Sequence, residues 1–196
     1  MRKREHRRDN DQCQAADRAQ HRPLDRVADA AEISRRAELS RQKERTDSRL
    51  GHAFTEHVDA SDEQLRRRAK EGVNTRGHDE GFIPENVTRW QSDAASVITA
   101  DRLWRTPQAQ QVRGDIEAKL RAGQPARQSL TVRAPLSQVL GPNWRHDVYG
   151  RSRASHGRQL TAWGDDGQAV AVYRRHSDGR WYLHTCYPDP GPLPGP

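Results

Sequence analysis

Hydrophobic residues follow two different rhythms along this chain, with the change near Gly123. Before that glycine they recur at helical spacing. Ser61 followed by Gln64 makes a capping-box pattern ahead of a run that reaches Lys70, and Gly72 stops it. Ser92 caps a second run, in which Ala94, Val97, Ile98 and Trp104 share a face and Asp101 interrupts the stripe. Thr106 caps a third, with Pro107 at the first position, Val112, Ile116 and Leu120 in a row, and Gly123 as the stop. The stretch NTRGHDEGFIPEN between the first two reads as loop.

After Gly123 the pattern turns to alternation and turns. QSLTVRA, LSQVLG, WRHDVYG, RQLTAWG, QAVAVYRRH and RWYLHTCYP are strand candidates. DD before Gly167 and SDG at residues 177 to 179 are hairpin signals, so the last three candidates predict an antiparallel meander. Helices first and strands later predict an α+β domain, with the helices packed on one face or edge of the sheet. Strict alternation in the last strand sends Trp181, Leu183, Thr185 and Tyr187 to one face and Tyr182, His184 and Cys186 to the other.

The first 50 residues differ from the rest. They carry 14 Lys+Arg and 10 Asp+Glu and none of the eleven aromatic residues, which all lie at or after Phe54. Leu24, Val27, Ala31, Ile33, Ala37 and Leu39 show only a weak helical spacing. Such a segment buries too little apolar surface to offset its ordering entropy. The sequence therefore predicts a charged, poorly folding leader or linker over residues 1–50, partly helical, a folded domain over 51–190, and a Pro/Gly tail over 191–196.

The net charge of +7 favours an anionic partner, and nucleic acid is the commonest one. Cys13 and Cys186 cannot build a disulfide framework and are expected as free thiols. No apolar run is long enough for a membrane span, and no apolar h-region follows the basic start MRKREHRRDNDQCQ. General secretory export is therefore not encoded here; if the protein leaves its cell, another segment or machine carries it.

Common nucleotide and metal motifs are missing: there is no glycine-rich phosphate loop, no paired-cysteine zinc motif and no H-E-x-x-H helix. His52 and His57 are five apart without cysteine partners at ligand spacing, so neither a metal nor a cofactor is expected. What remains is the segment EHV at residues 56 to 58, a helix carrying Arg66, Arg67 and Arg68, and the terminal strand with Thr185 and Tyr187. Metal-free RNA cleavage needs a base for the 2′-hydroxyl proton, an acid for the leaving oxygen, and cations or donors for charge on phosphorus. Imidazole, guanidinium and hydroxyl groups supply all three. Each residue also has a plainer role, as a surface histidine, a solvated helix face or ordinary strand residues.

At these positions the chain resembles the bacterial ribonuclease A-like toxin domain that ends contact-dependent growth inhibition and other polymorphic toxins. The likeness runs from GHAFTEHVDASDEQLRRR at residue 51, through WQSDAASVITADRLW, to AVAVYRRHSDGRWYLHTCYP, whose aromatic strand ends Thr-x-Tyr-Pro. The resemblance implies that His57, Arg68, Thr185 and Tyr187 form an active site, with Arg66 and Arg67 as alternatives for the helix position. It implies a ribonuclease A-like α+β fold without disulfides, and a metal-independent endoribonuclease that uses the 2′-hydroxyl as nucleophile and leaves a cyclic phosphate. It further implies production in the cytoplasm, export as a toxin that acts in a target cell's cytoplasm, and a cognate immunity protein, expected to be acidic to complement the basic enzyme. His184 falls on the face opposite Thr185 by alternation, so no second histidine is assigned. A second reading, a non-catalytic RNA-binding module, draws on the same charge and on tryptophans such as Trp90 or Trp144, which could stack on bases if exposed and otherwise pack in the core.

Overall fold

The computed structural model describes residues 24–26 and 29–191, so Cys13, Val27 and the tail from residue 192 onward lie outside it. In chain order come α1 (Ala30–Thr46), α2 (Asp62–Glu71), β1 (Asn86–Trp90), α3 (Asp93–Trp104), α4 (Pro107–Arg121), β2 (Ser129–Pro135), α5 (Leu136–Leu140), β3 (Val148–Ser152), β4 (Gln168–Arg175) and β5 (Trp181–Asp189). The strands form two antiparallel sheets, β1–β3 and β2–β4–β5, giving a mixed α+β architecture. Cys186 is a free thiol buried in the core. Among the described residues no helix is long and apolar enough to cross a membrane.

The three capped helices form where their sequence signals lie. Ser61 and Gln64 make the reciprocal capping box of α2, and Gly72 ends it in the left-handed conformation, φ +71°. Ser92 accepts the Ala95 N–H at the start of α3, and Thr106 accepts that of Ala109 at the start of α4. Asp101, which breaks the apolar stripe of α3, is buried. It accepts hydrogen bonds from Arg36, Arg105 and the Leu24 backbone, so its charge is paired as a buried carboxylate must be.

The strand pattern needs three corrections. LSQVLG is helical, as α5: Leu136, Val139 and Leu140 are spaced i, i+3, i+4, and so short an apolar run fits either element. RQLTAWG makes only a single bridge, Arg151 to Leu160, so the meander shrinks to the β4–β5 hairpin while β2 fills the other edge of the sheet. Conversely, NVTRW forms β1 at the junction between the predicted loop and the α3 run. Its burial pattern places Val87 and Thr88 inside together, and this lacks the alternation that marks a strand.

The boundary drawn at residue 50 runs through one hydrophobic core. Leu24, Ile33 and Ala37 are buried in the same cluster as Phe54, Leu103, Val132 and Cys186. Ion pairs supplement the sparse apolar contacts of α1: Arg41 bridges Asp59 and Asp93, and Arg36 reaches Asp101. Trp90 and Trp144 lie in this core as well, 0% and 2% exposed, and present no face to a base.

Candidate active site

One irregularity in β5 decides which side chains meet. Val172 of β4 pairs with Thr185, but its neighbour Tyr173 pairs with Leu183, which leaves His184 as an extra residue in a β-bulge. The bulge shifts the alternation by one. Leu183 and Cys186 therefore share the core face with Tyr173 and Ala171, whereas Thr185 and Tyr187 share the opposite face with Val172 and Val170. The strict alternation expected from the sequence is corrected here, and so is the separation of His184 from the site.

His57 arrives from the other side, in a turn spanning residues 52–58. The turn is closed by the Glu56 N–H to the His52 carbonyl at 3.1 Å and the Val58 N–H to that of Phe54 at 2.9 Å. Its outer end is tied to β1, where the His57 carbonyl accepts the Trp90 N–H at 2.7 Å. The ring is buried and stacks on Tyr187, with centroids 5.2 Å apart. Its Nδ1 lies 3.1 Å from the Thr88 carbonyl oxygen. A carbonyl only accepts, so Nδ1 carries the hydrogen and Nε2 keeps the lone pair. Burial holds this imidazole far below its ordinary pKa, at about 3, so it is neutral at pH 7.

Strand β1 also joins β5. The Trp90 indole N–H donates to the Cys186 carbonyl at 3.0 Å, and the Thr88 hydroxyl donates to that of Pro188. His57 is thus held by a strand that is itself bonded to the backbone around Tyr187.

Arg68 extends from α2 toward the same turn, and its charge opposes protonation of both His57 and His52. Each of its three nitrogens has a carboxylate partner. Two of its nitrogens fork onto Glu80 at 2.9 Å each, and a third reaches Glu56 at 3.3 Å. Glu56 in turn accepts from Thr75. Arg66 and Arg67, the alternatives for this position, are exposed and pair with Glu63 and Glu71 on their own helix.

Thr185 is buried, and among the described residues its hydroxyl has no hydrogen-bond partner; neither does Nδ1 of the adjacent His184. Unpaired buried polar atoms cost about 1–3 kcal/mol each. Tyr187 keeps its proton, since burial raises its pKa. The structure therefore brings together His57, Tyr187 and, on the same strand face as Tyr187, Thr185, and joins Arg68 to the His57 turn through its ion pair with Glu56.

Two further histidines belong to this region. His52 lies 5.9 Å from His57 and 5.0 Å from His184, centroid to centroid. The GH pair at residues 51 and 52 was legible in the sequence, but the bulge that turns His184 toward it was not. Among the described residues no three of His, Cys, Asp and Glu converge as metal ligands would. A cavity of about 370 Å³ bounded by Leu39, Phe54, Trp104, Tyr173 and Trp181 lies toward the core face of β5, where Tyr173, Leu183 and Trp181 point, and does not include His57 or Tyr187.

No protein-family model, curated protein or solved structure matches the chain.

Proposed function

We propose that this chain is a metal-independent endoribonuclease of the ribonuclease A-like toxin type, cleaving RNA by attack of its own 2′-hydroxyl. The observation that carries the reading is the tautomer of His57, a neutral imidazole with its Nδ1–H on the Thr88 carbonyl and its Nε2 lone pair without a partner among the described residues. In the reaction, Nε2 takes the 2′-hydroxyl proton and the 2′-oxygen bonds to phosphorus. The bond from phosphorus to the 5′-oxygen breaks, and a 2′,3′-cyclic phosphate is left. Thr185 and Tyr187 donate their hydroxyls toward the phosphoryl oxygens or hold the imidazole in place. Arg68 supplies positive charge once the substrate phosphate competes with Glu80 for its guanidinium. The ribonuclease A-like fold, the toxin role, delivery to a target cell and an acidic immunity protein belong to the same proposal.

The test is incubation of purified protein with total RNA in the presence of a chelator. Cleavage that leaves cyclic phosphate ends and disappears in His57→Ala supports the enzyme. Retention of intact RNA without cleavage supports a binding module, and the absence of both cleavage and retention rejects both readings.

A further inference from the structure

His52 is set against β5 by a contact that only glycine permits at the preceding position. Gly51 has φ +144°, and a Cβ there would meet the His184 carbonyl oxygen at 2.6 Å. That same carbonyl accepts the His52 N–H at 2.9 Å. The ring of His52 then stands between the other two imidazoles, tilted 46° to His57 and edge-on, at 81°, to His184.

Neither ring nitrogen of His52 has a hydrogen-bond partner among the described residues, and neither is sealed from solvent as Nδ1 of His184 is. An imidazole with open nitrogens beside a neutral imidazole base is the arrangement that a two-histidine proton exchange requires. With centroids 5.9 Å apart, the two rings can reach different oxygens of one phosphodiester, each within a hydrogen-bond distance of about 3 Å.

We propose that His52 is the proton donor to the departing 5′-oxygen, so that the nuclease works with a pair of imidazoles. The inference rests on the endoribonuclease reading above. His57 takes the 2′-hydroxyl proton, and the electron pair of the breaking bond stays on the 5′-oxygen. That oxygen leaves with the proton of the His52 imidazolium. The two rings finish in exchanged protonation states and reset when a water attacks the cyclic phosphate in the reverse sense or by proton exchange with solvent.

The groups around each candidate separate His52 from His184. Burial is the largest influence on His52 and sets its pKa below the ordinary value. Glu56 in its own turn and Glu44 of α1 oppose this and favour the charged form, whereas Arg68 of α2 and Arg76 in the loop that follows add to it. Added negative charge from a bound phosphodiester acts with the two carboxylates and moves that pKa back upward, toward imidazolium. Burial holds His184 at about 4, and the charges that act on it among the described residues, Arg174, His52 and Lys43, push the same way, with no carboxylate to oppose them.

A pair of substrates tests this. A dinucleoside phosphodiester expels an alkoxide that must be protonated, whereas a ribonucleoside 3′-(4-nitrophenyl phosphate) expels a phenolate that need not be. His52→Gln is expected to lower kcat/KM on the first by roughly 10²–10⁴-fold and to leave the second within about an order of magnitude of wild type. His57→Gln is expected to lower both alike. The alkaline limb of the pH–rate profile, present in wild type on the dinucleoside, is expected to vanish in His52→Gln. His52→Asn, smaller and equally unable to donate an acidic proton, should repeat the pattern. Loss on both substrates in both His52 variants, or on neither, overturns the assignment. Failure of the wild type to turn over either ester overturns the nuclease reading itself, which is a different result.

Discussion

The carboxylate of Glu44, near the end of α1, accepts the Phe54 backbone N–H at 3.0 Å and the Thr55 N–H at 2.9 Å, and it also takes the Thr55 hydroxyl at 2.6 Å. One buried side chain from a segment that reads as a charged leader therefore satisfies three donors in the turn that carries His52 and His57. Its neighbour Lys43 donates to the Leu183 carbonyl at 2.7 Å, immediately before the bulge. The two residues hold both walls of the candidate site.

Glu44→Ala is expected to destabilise the fold by about 2–4 kcal/mol, since it strands buried donors, and to reduce RNA cleavage more than its stability loss accounts for. Glu44→Gln keeps one acceptor and should fall between. Urea denaturation alongside cleavage at a temperature where every variant is folded checks both expectations.

Gly51→Ala places a methyl against the His184 carbonyl at a backbone angle unsuited to an L-residue. The expected cost is about 1–3 kcal/mol, with the His52 turn pushed away from β5. A lowered denaturation midpoint with weakened cleavage would show it; a neutral result would mean that the contact is loose.

Arg68 joins two carboxylates of low exposure, so Arg68→Ala leaves both without their cation and is expected to cost about 3–5 kcal/mol. Activity lost in that variant therefore says little by itself. Glu80→Gln is more informative: it leaves Arg68 with Glu56 as its only full negative charge, and KM for RNA is expected to fall if the guanidinium binds phosphate. Steady-state kinetics on a defined oligonucleotide decide this.

The histidines also set how stability depends on acidity. His57 is held at about 3 and His184 at about 4, chiefly by burial, against an ordinary value of 6.5. Below pH 6.5 the unfolded chain takes up protons that these rings refuse. The stability they allow is thus complete above that pH and is lost as pH falls toward 4 and then 3. Melting temperatures across this range are expected to drop steadily in wild type and less steeply in His57→Gln.

Caps and turns made much of this fold legible. Ser61 with Gln64, Ser92, and Thr106 with Pro107 each satisfy helix ends through local chemistry that a sequence displays directly. The SDG turn likewise fixes the β4–β5 hairpin. What stayed hidden depends on distant partners. The bulge at His184 arises from pairing with β4 and carries no local signal, so alternation misplaced Leu183 and His184 together. Glu44 looks like one charge among many, because its partners are backbone groups in another segment. Of the site, His57, Thr185 and Tyr187 were named from sequence and stand near one another. Arg68 was named too, but its engagement by Glu80 could not be read from a loop without visible structure.

The bulge also divides the β4–β5 hairpin into two mechanical halves. Trp181–Leu183 and the tip at residues 177 to 179 lie beyond it, whereas Thr185–Asp189 lie within it, tied to β1 through Trp90 and Thr88. A peptide inserted at the tip would therefore lengthen an outer arm and leave the inner register untouched. That makes the tip a natural place to attach a fluorophore or an epitope without disturbing the histidines, whereas one residue gained between Thr185 and Tyr187 would turn the aromatic ring inward and the thiol outward.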